Sequence, residues 1–174
     1  MKGLRISLAA GAALAAMGGI TPVLAGVGLH WYQGQLPTVT RSESTVTASG
    51  EVGGAGQYIT AVLKVYYSYP VSCYNPGSDS GPVPGQSQNG SASTTQQVQA
   101  NHGNASFSLQ ETVAIPAPPA SACPNPAWHA TAGPLTITSA DVTVTSDNGG
   151  YPTYTKTAPH VEIPEQALPH ALPS

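Results

Sequence analysis

The sequence predicts an all-β fold, a small antiparallel β-sandwich of immunoglobulin-like type following an N-terminal signal segment. Three observations carry this. One long stretch alternates apolar and polar residues with period two, short segments of similar character recur between Gly, Pro and Asn clusters, and no stretch after residue 25 shows sustained helical periodicity.

The chain begins with Lys2 and Arg5, continues in an uncharged apolar run from Ile6 to Ile20, and reaches Pro22 and Val23-Leu24-Ala25 before Gly26. These are the parts of a secretory signal, with residues at Val23 and Ala25 suited to cleavage after Ala25. The alternative is a retained anchor, because the uncharged run is long enough to span a bilayer. Its Ala and Gly content and Pro22 argue for cleavage, since spanning helices prefer Leu, Ile and Val. No cysteine stands at the cut, which argues against a bacterial lipoprotein anchor. Residues 1–25 are thus expected to be a signal peptide, 26–43 an N-terminal extension, 44–156 the sandwich domain and 157–174 a proline-rich tail.

Within the domain, 44–52 is the first expected strand, and 59–73 is the clearest. Ile59, Ala61, Leu63, Val65, Tyr67, Tyr69, Val71 and Cys73 occupy every odd position of that segment, which buries one face and points Cys73 inward. Pro70 has no N–H, so this end is expected at an edge or a bulge. Further strands are expected at 93–100, 105–114, 127–132, 135–145 and 151–155. In 135–145 the apolar phase switches from Leu135 and Ile137 to Ala140, Val142 and Val144, which predicts a β-bulge or a bend between sheets near Ser139. Asp147-Asn148-Gly149-Gly150 suits a tight hairpin. Residues 76–90 read as a long loop and 157–174 as a tail. Several short strands in a chain of this length favour a sandwich.

Only 7% of the residues are charged, against about 25% in ordinary domains. The surface must therefore be clothed in Ser, Thr, Asn and Gln, as in many extracellular β-proteins. Removal of residues 1–25 leaves 149 residues, enough for one domain. It also leaves three basic side chains, Arg41, Lys64 and Lys156, against eight acidic ones, a formal net charge of −5. Three scattered cations make no basic patch, so nucleic acid is a poor partner, and a membrane is a partner only if the signal segment stays as an anchor.

Two cysteines, Cys73 and Cys123, in an exported chain make one structural disulfide the default pairing. A redox or metal role would need closely spaced thiols or further ligands. Around them lie Cys73-Tyr74-Asn75-Pro76-Gly77, Pro84-Gly85-Gln86 and Cys123-Pro124-Asn125-Pro126-Ala127-Trp128. This order resembles a group of uncharacterised small secreted proteins of actinobacterial type that carry Cys-x-Asn-Pro-Gly, Pro-Gly-Gln and Cys-Pro-Asn-Pro-x-Trp. The resemblance spans roughly residues 44–145; it implies the disulfide and the fold, and no activity. The longer N-terminal part and the proline-rich tail depart from it.

Candidate chemistry is sparse. Gly77-Ser78-Asp79-Ser80-Gly81-Pro82 looks like the nucleophile loop of chymotrypsin-like proteases, but that family needs a histidine and a buried aspartate carried by two barrels, and the chain is too short for them. His30, His102 and His129 are far apart, and His129 should point away from Trp128 into solvent. Histidines of the tail, His160 and His170, read as solvated. Glu111 shares the phase of Ala105, Phe107, Leu109 and Val113, which a register break or a strand end explains more simply than a catalytic acid. Asn89-Gly90-Ser91 and Asn104-Ala105-Ser106 match the N-glycosylation pattern, which bacterial proteins usually leave unused. Among the aromatics, Tyr67, Tyr69, Phe107 and Trp128 are expected in the core, while Tyr58 and Tyr66 fall on the exposed side of the long strand and are the candidate ligand-facing pair. The sequence expectation is a secreted or cell-surface, non-enzymatic structural or interaction protein with no cofactor and no metal. A carbohydrate- or small-ligand-binding module is the alternative, and a secreted hydrolase built on Ser80 a second one.

Overall fold

The computed structural model describes residues 28–78, 80–147 and 155–163, which form twelve strands and two short 3-10 turns. The strands are β1 (His30–Trp31), β2 (Thr38–Ser42), β3 (Thr45–Gly53), β4 (Tyr58–Tyr69), β5 (Val71–Tyr74), β6 (Val83–Pro84), β7 (Gln88–Gln99), β8 (Asn104–Thr112), β9 (His129–Ala132), β10 (Thr136–Asp147), β11 (Thr155–Thr157) and β12 (Val161–Glu162). The chain is an all-β domain of three antiparallel sheets and one disulfide. The expected hairpin after Asp147, the cut after Ala25 and most of the expected strand at 151–155 lie outside the described residues.

In the first sheet β3 is central, with β8 along one edge and β2 followed by β1 along the other. In the second, the order is β10, β4, β7, with β11 and β12 sharing the free edge of β10. The two sheets share one apolar core. Val46, Ala48 and Val52 of β3 and Ala105, Phe107 and Leu109 of β8 meet Ile59, Ala61, Leu63 and Val65 of β4 and Ile137, Ala140, Val142 and Val144 of β10. Nine side chains on the alternate face of the first sheet are neutral and polar, eight hydroxyls and the Gln110 amide. They form rows across its strands: Thr38, Ser49 and Ser108; Thr40, Thr47 and Gln110; Ser42, Thr45 and Thr112. The hydroxyls of Thr45 and Thr112 lie 2.9 Å apart, and β10 and β11 repeat the device in the Thr143–Thr157 and Thr145–Thr155 pairs at 3.4 and 3.3 Å. Cross-strand threonine pairs of this kind cover a sheet without charge.

The long alternating segment is two strands. Pro70 interrupts it, because a residue without an N–H cannot complete the ladder between two neighbours. Up to Tyr69 the segment pairs with β10 and β7; from Val71 it pairs with β9 and β6. Strand order in the third sheet, β9, β5, β6, therefore repeats the order β10, β4, β7 of the second, and each of three chain lines crosses from one to the other. Gly133 donates its N–H to the Pro70 carbonyl at 2.8 Å and Gly85 donates to Val71 at 2.8 Å, so hydrogen bonds bridge the break. The third sheet is the continuation of the second beyond that break.

Of the two causes the phase switch in β10 allowed, a bulge is the one found. Ile137 pairs with Tyr67 and Ser139 with Tyr66, leaving Thr138 as the extra residue of a bulge. Its carbonyl accepts the N–H of Ile163 at 3.1 Å. Three boundaries differ from expectation. β7 begins at Gln88, inside the expected loop at 76–90, and β6 also lies there. Residues 28–43 supply β1 and β2, and residues 155–163 lie along β10, so the sheets take in residues on both sides of 44–156.

Candidate functional site

The three sequence motifs converge on the third sheet. Cys73 and Cys123 are bonded, with Cα atoms 5.7 Å apart, and both are buried. Cys73 ends the inward row Tyr69, Val71, Cys73, and Cys123 follows the short turn Ala120–Ala122 in the long connection from β8 to β9. The bond fastens that connection over the inner side of the sheet, where Ala122 and Cys123 meet Tyr69 and Val71. Each cysteine is followed by an Asn-Pro turn of the same design. Asn75 Oδ1 accepts the N–H of Gly77 at 3.1 Å, and Asn125 Oδ1 accepts that of Ala127 at 2.9 Å. The Asn75 and Asn125 carbonyls then accept from Ser78 at 3.1 Å and Trp128 at 3.0 Å. Proline between donor and acceptor holds its φ where such turns need it. Gly85 completes the arrangement: a Cβ there would lie 2.8 Å from Cys73 Sγ and 2.8 Å from the Ala122 carbonyl. Its neighbour Gln86 donates its N–H to that same carbonyl at 2.8 Å. The motif residues build a turn-and-staple unit.

Tyr58 and Tyr66 share the outer face of β4 but stand eight residues apart, about 27 Å along an antiparallel strand. Tyr58 is 37% exposed at one end. Tyr66 is half-buried and held by its neighbours. The Lys64 Nζ lies 5.0 Å from its ring centroid, and the His160 ring lies 6.2 Å away, tilted by 54°. His160 comes from the segment between β11 and β12. Its Nδ1 is 2.7 Å from Asp141 Oδ1 on β10, and its Nε2 is 3.4 Å from Glu162 Oε1 on β12. The hydrogen bond to Asp141 raises the imidazole above its ordinary value, against a lowering by desolvation, and the charges of Asp141 and Glu162 add smaller raising contributions. Both ring nitrogens thus face carboxylates, which favours the protonated ring, and Tyr66 lies between the Lys64 ammonium and this imidazole. Ser139, opposite Tyr66 on one side and Glu162 on the other, is only 6% exposed beneath this cluster.

The remaining candidates are dispersed. Ser80 donates its N–H to Ser78 Oγ at 3.1 Å, and the two hydroxyls are 2.8 Å apart, a local turn; Asp79 lies outside the described residues. His30 packs on β1 with Nδ1 3.0 Å from the Gly28 carbonyl, His102 sits in the β7–β8 turn at φ 49°, and His129 is exposed on β9 beside Tyr74. Glu111 lies opposite Val46 at the end of β8 and keeps part of its surface in solvent. Tyr69 and Phe107 are core, while Tyr67 and Trp128 are partly buried against it. Three open grooves, of ≈ 370, ≈ 420 and ≈ 350 Å³, are lined respectively around Tyr32 and Leu36, around Glu51 and Asn101, and around Gly85 and Cys123; neither Tyr58 nor Tyr66 lines any of them. Among the described residues no three His, Cys, Asp or Glu side chains are grouped to hold a metal ion, and no helix is long and apolar enough to cross a membrane.

The Asp141–His160–Glu162 cluster escaped the sequence reading. Asp141 reads as an ordinary outward strand residue and His160 as part of a tail, and only the pairing of β12 with β10 brings them together. Comparison with family models finds no match, and comparison with curated proteins finds no relative.

Proposed function

We propose that this chain is exported, loses residues 1–25, and serves outside the cell or at its surface as a non-enzymatic structural or interaction protein. The observation that carries the reading is a stapled all-β domain whose outer faces are rows of hydroxyl and amide side chains. A disulfide holding a long connection in place suits an oxidising compartment. Neutral polar rows suit contact with another surface better than charge steering does. The two sheets around one core, joined by the β7–β8 turn, support an immunoglobulin-like geometry. Placement of all three motifs around the staple supports membership of the secreted group with the same motifs.

The test is made in the producing cell. Fractionation with intact-mass measurement is expected to find a chain beginning at Gly26 in the medium or envelope, and thiol labelling of the denatured, unreduced protein is expected to find no free thiol. A full-length chain starting at Met1 in the cytosol with two labelled thiols would overturn the reading. Binding of a carbohydrate or other small ligand is the competing proposal. Separation of Tyr58 from Tyr66 and engagement of Tyr66 by Lys64 and His160 weigh against it in its original form.

A further inference from the structure

The sheet edges of this fold are unequally defended. Exposed edges present unpaired backbone groups, and proteins protect them with short strands, charges, prolines or bulges. The first sheet ends on one side in the two residues of β1 and the five of β2, which follows Pro37 and carries Arg41, and on the other in the nine residues of β8, which carry Glu111. The β10 side of the second sheet is formed by the three residues of β11 and the two of β12, with Pro159, His160 and Glu162. At the opposite side stands β7, twelve residues long, with the sequence QNGSASTTQQVQ and neither a charge, a proline nor a register shift against β4.

The far edge of β7 is engaged only near its C-terminal end. Asn101 and Asn104 form a single bridge, with bonds of 2.7 and 3.0 Å, where the chain turns into β8, and Gln96 Oε1 accepts the N–H of Ser108 at 3.1 Å. Among the described residues, no backbone hydrogen bond reaches the 88–95 stretch from that side.

We propose that this edge pairs with the same edge of a second copy of the chain, antiparallel about a twofold axis near Ala92, joining two second sheets into one. The proposal rests on the interaction reading and names its partner. β7 is self-compatible. With the axis at Ala92, Ser91 stands beside Ser93 of the second copy and Asn89 beside Thr95, all exposed and neutral. On the inner side Gly90, Ala92 and Thr94 face one another, small enough for close approach. Copies that each carry a net charge of −5 repel, and this uncharged strand is where they meet without like charges at the seam. Overlap of residues 88–96 gives a ladder about 30 Å long. A twofold contact of this edge with itself uses the edge of both copies and so closes the assembly as a dimer through β7.

Sedimentation velocity with light scattering on the mature, disulfide-bonded chain, from micromolar to millimolar concentration, is expected to show a monomer–dimer equilibrium and nothing larger. Ser91→Lys/Ser93→Lys places ammonium groups across the seam and is expected to weaken the dimer about tenfold or more. Thr40→Lys/Ser42→Lys adds the same charge on β2 and is expected to leave the dimer intact. Amide exchange at 88–95 in the unmodified protein, slowed as concentration rises, supplies a readout that needs no variant to fold. A monomer at every concentration, a folded Ser91→Lys/Ser93→Lys variant that still dimerises, or a dimer with unchanged exchange at 88–95 would each overturn self-pairing. None of these outcomes touches the export reading, which the N-terminus and thiol measurements decide separately.

Discussion

At the residue scale, the most constrained position in the staple is one without a side chain. Gly85 lies so close to Cys73 Sγ and the Ala122 carbonyl that an added methyl group meets both at 2.8 Å. Gly85→Ala is therefore expected to lower the urea midpoint, by about 1–3 kcal/mol of stability at an unchanged slope. His160 makes a different prediction, about pH. Its hydrogen bond to Asp141 raises its proton affinity in the folded state. The folded protein therefore binds this proton more tightly than the unfolded chain does. The resulting stabilisation is complete below the ordinary histidine value of about 6.5 and is lost as pH rises through the raised value. The ring is about half exposed, at 49%, so the effect is screened and is best read by NMR titration. Asp141→Asn is expected to return the His160 midpoint towards the ordinary value; an unchanged midpoint would show that Asp141 does not hold the proton. The sequence revealed the cysteine pairing, because two cysteines allow one intramolecular bond, and the bulge at Thr138, because a slip in a two-residue period is local. It could not reveal the His160 cluster, which depends on where a short, weakly patterned segment docks on β10.

Strands were legible in proportion to the apolar alternation they carry. β3, β4, β8 and β10 each place a row of aliphatic or aromatic residues in the core, and that row is visible as a period of two. β7 is not legible over Gln88–Gly90 and its next few residues. Gln, Asn, Gly and Ser there resemble a loop, and they are extended because twelve successive residues of β4 supply the partner ladder. Gly90 is fitted to that ladder: it lies opposite Tyr67, and a Cβ at Gly90 would come within 2.5 Å of the ring. Tyr67 covers the glycine and in turn stacks against Tyr69, with centroids 6.5 Å apart. Gly90→Ala and Tyr67→Ala are each expected to destabilise. Because the second change removes the ring that the first collides with, the double variant is expected to lose less than the two effects combined. A double-mutant cycle in urea measures this directly, and strict additivity would show that the ring does not lie over Gly90. Pro70 belongs to this scale too. One residue without an N–H exchanges the partners of an otherwise unbroken alternation, which the pattern alone could flag only as an edge or a bulge.

Across the whole molecule, the apolar residues fall into two clusters of unequal size, and this predicts how the fold comes apart. The larger joins the first and second sheets; the smaller consists of Tyr69, Val71, Cys73, Ala122 and Cys123, with Tyr67 packed against both. The smaller cluster buries few side chains, and Ala122 and Cys123 come to it from the connection between β8 and β9, a proline-rich stretch with short-range turns and few ladder bonds. The disulfide holds that connection down across 50 residues of sequence. In the chain-entropy model a closure of that length stabilises the fold by about 4 kcal/mol, a large share of the ~5–15 kcal/mol of a typical domain. Removing it is expected to act locally before it acts globally. In Cys73→Ala/Cys123→Ala, amide exchange at 71–74 and 129–132 should accelerate well before exchange at 59–65 and 140–144, because the larger core keeps its contacts while the third sheet loses its cover. The Pro70 break favours that separation, since only a few hydrogen bonds, such as Gly133 to Pro70, carry the ladder across it. Uniform acceleration across both clusters would instead mean that the three sheets unfold as one unit.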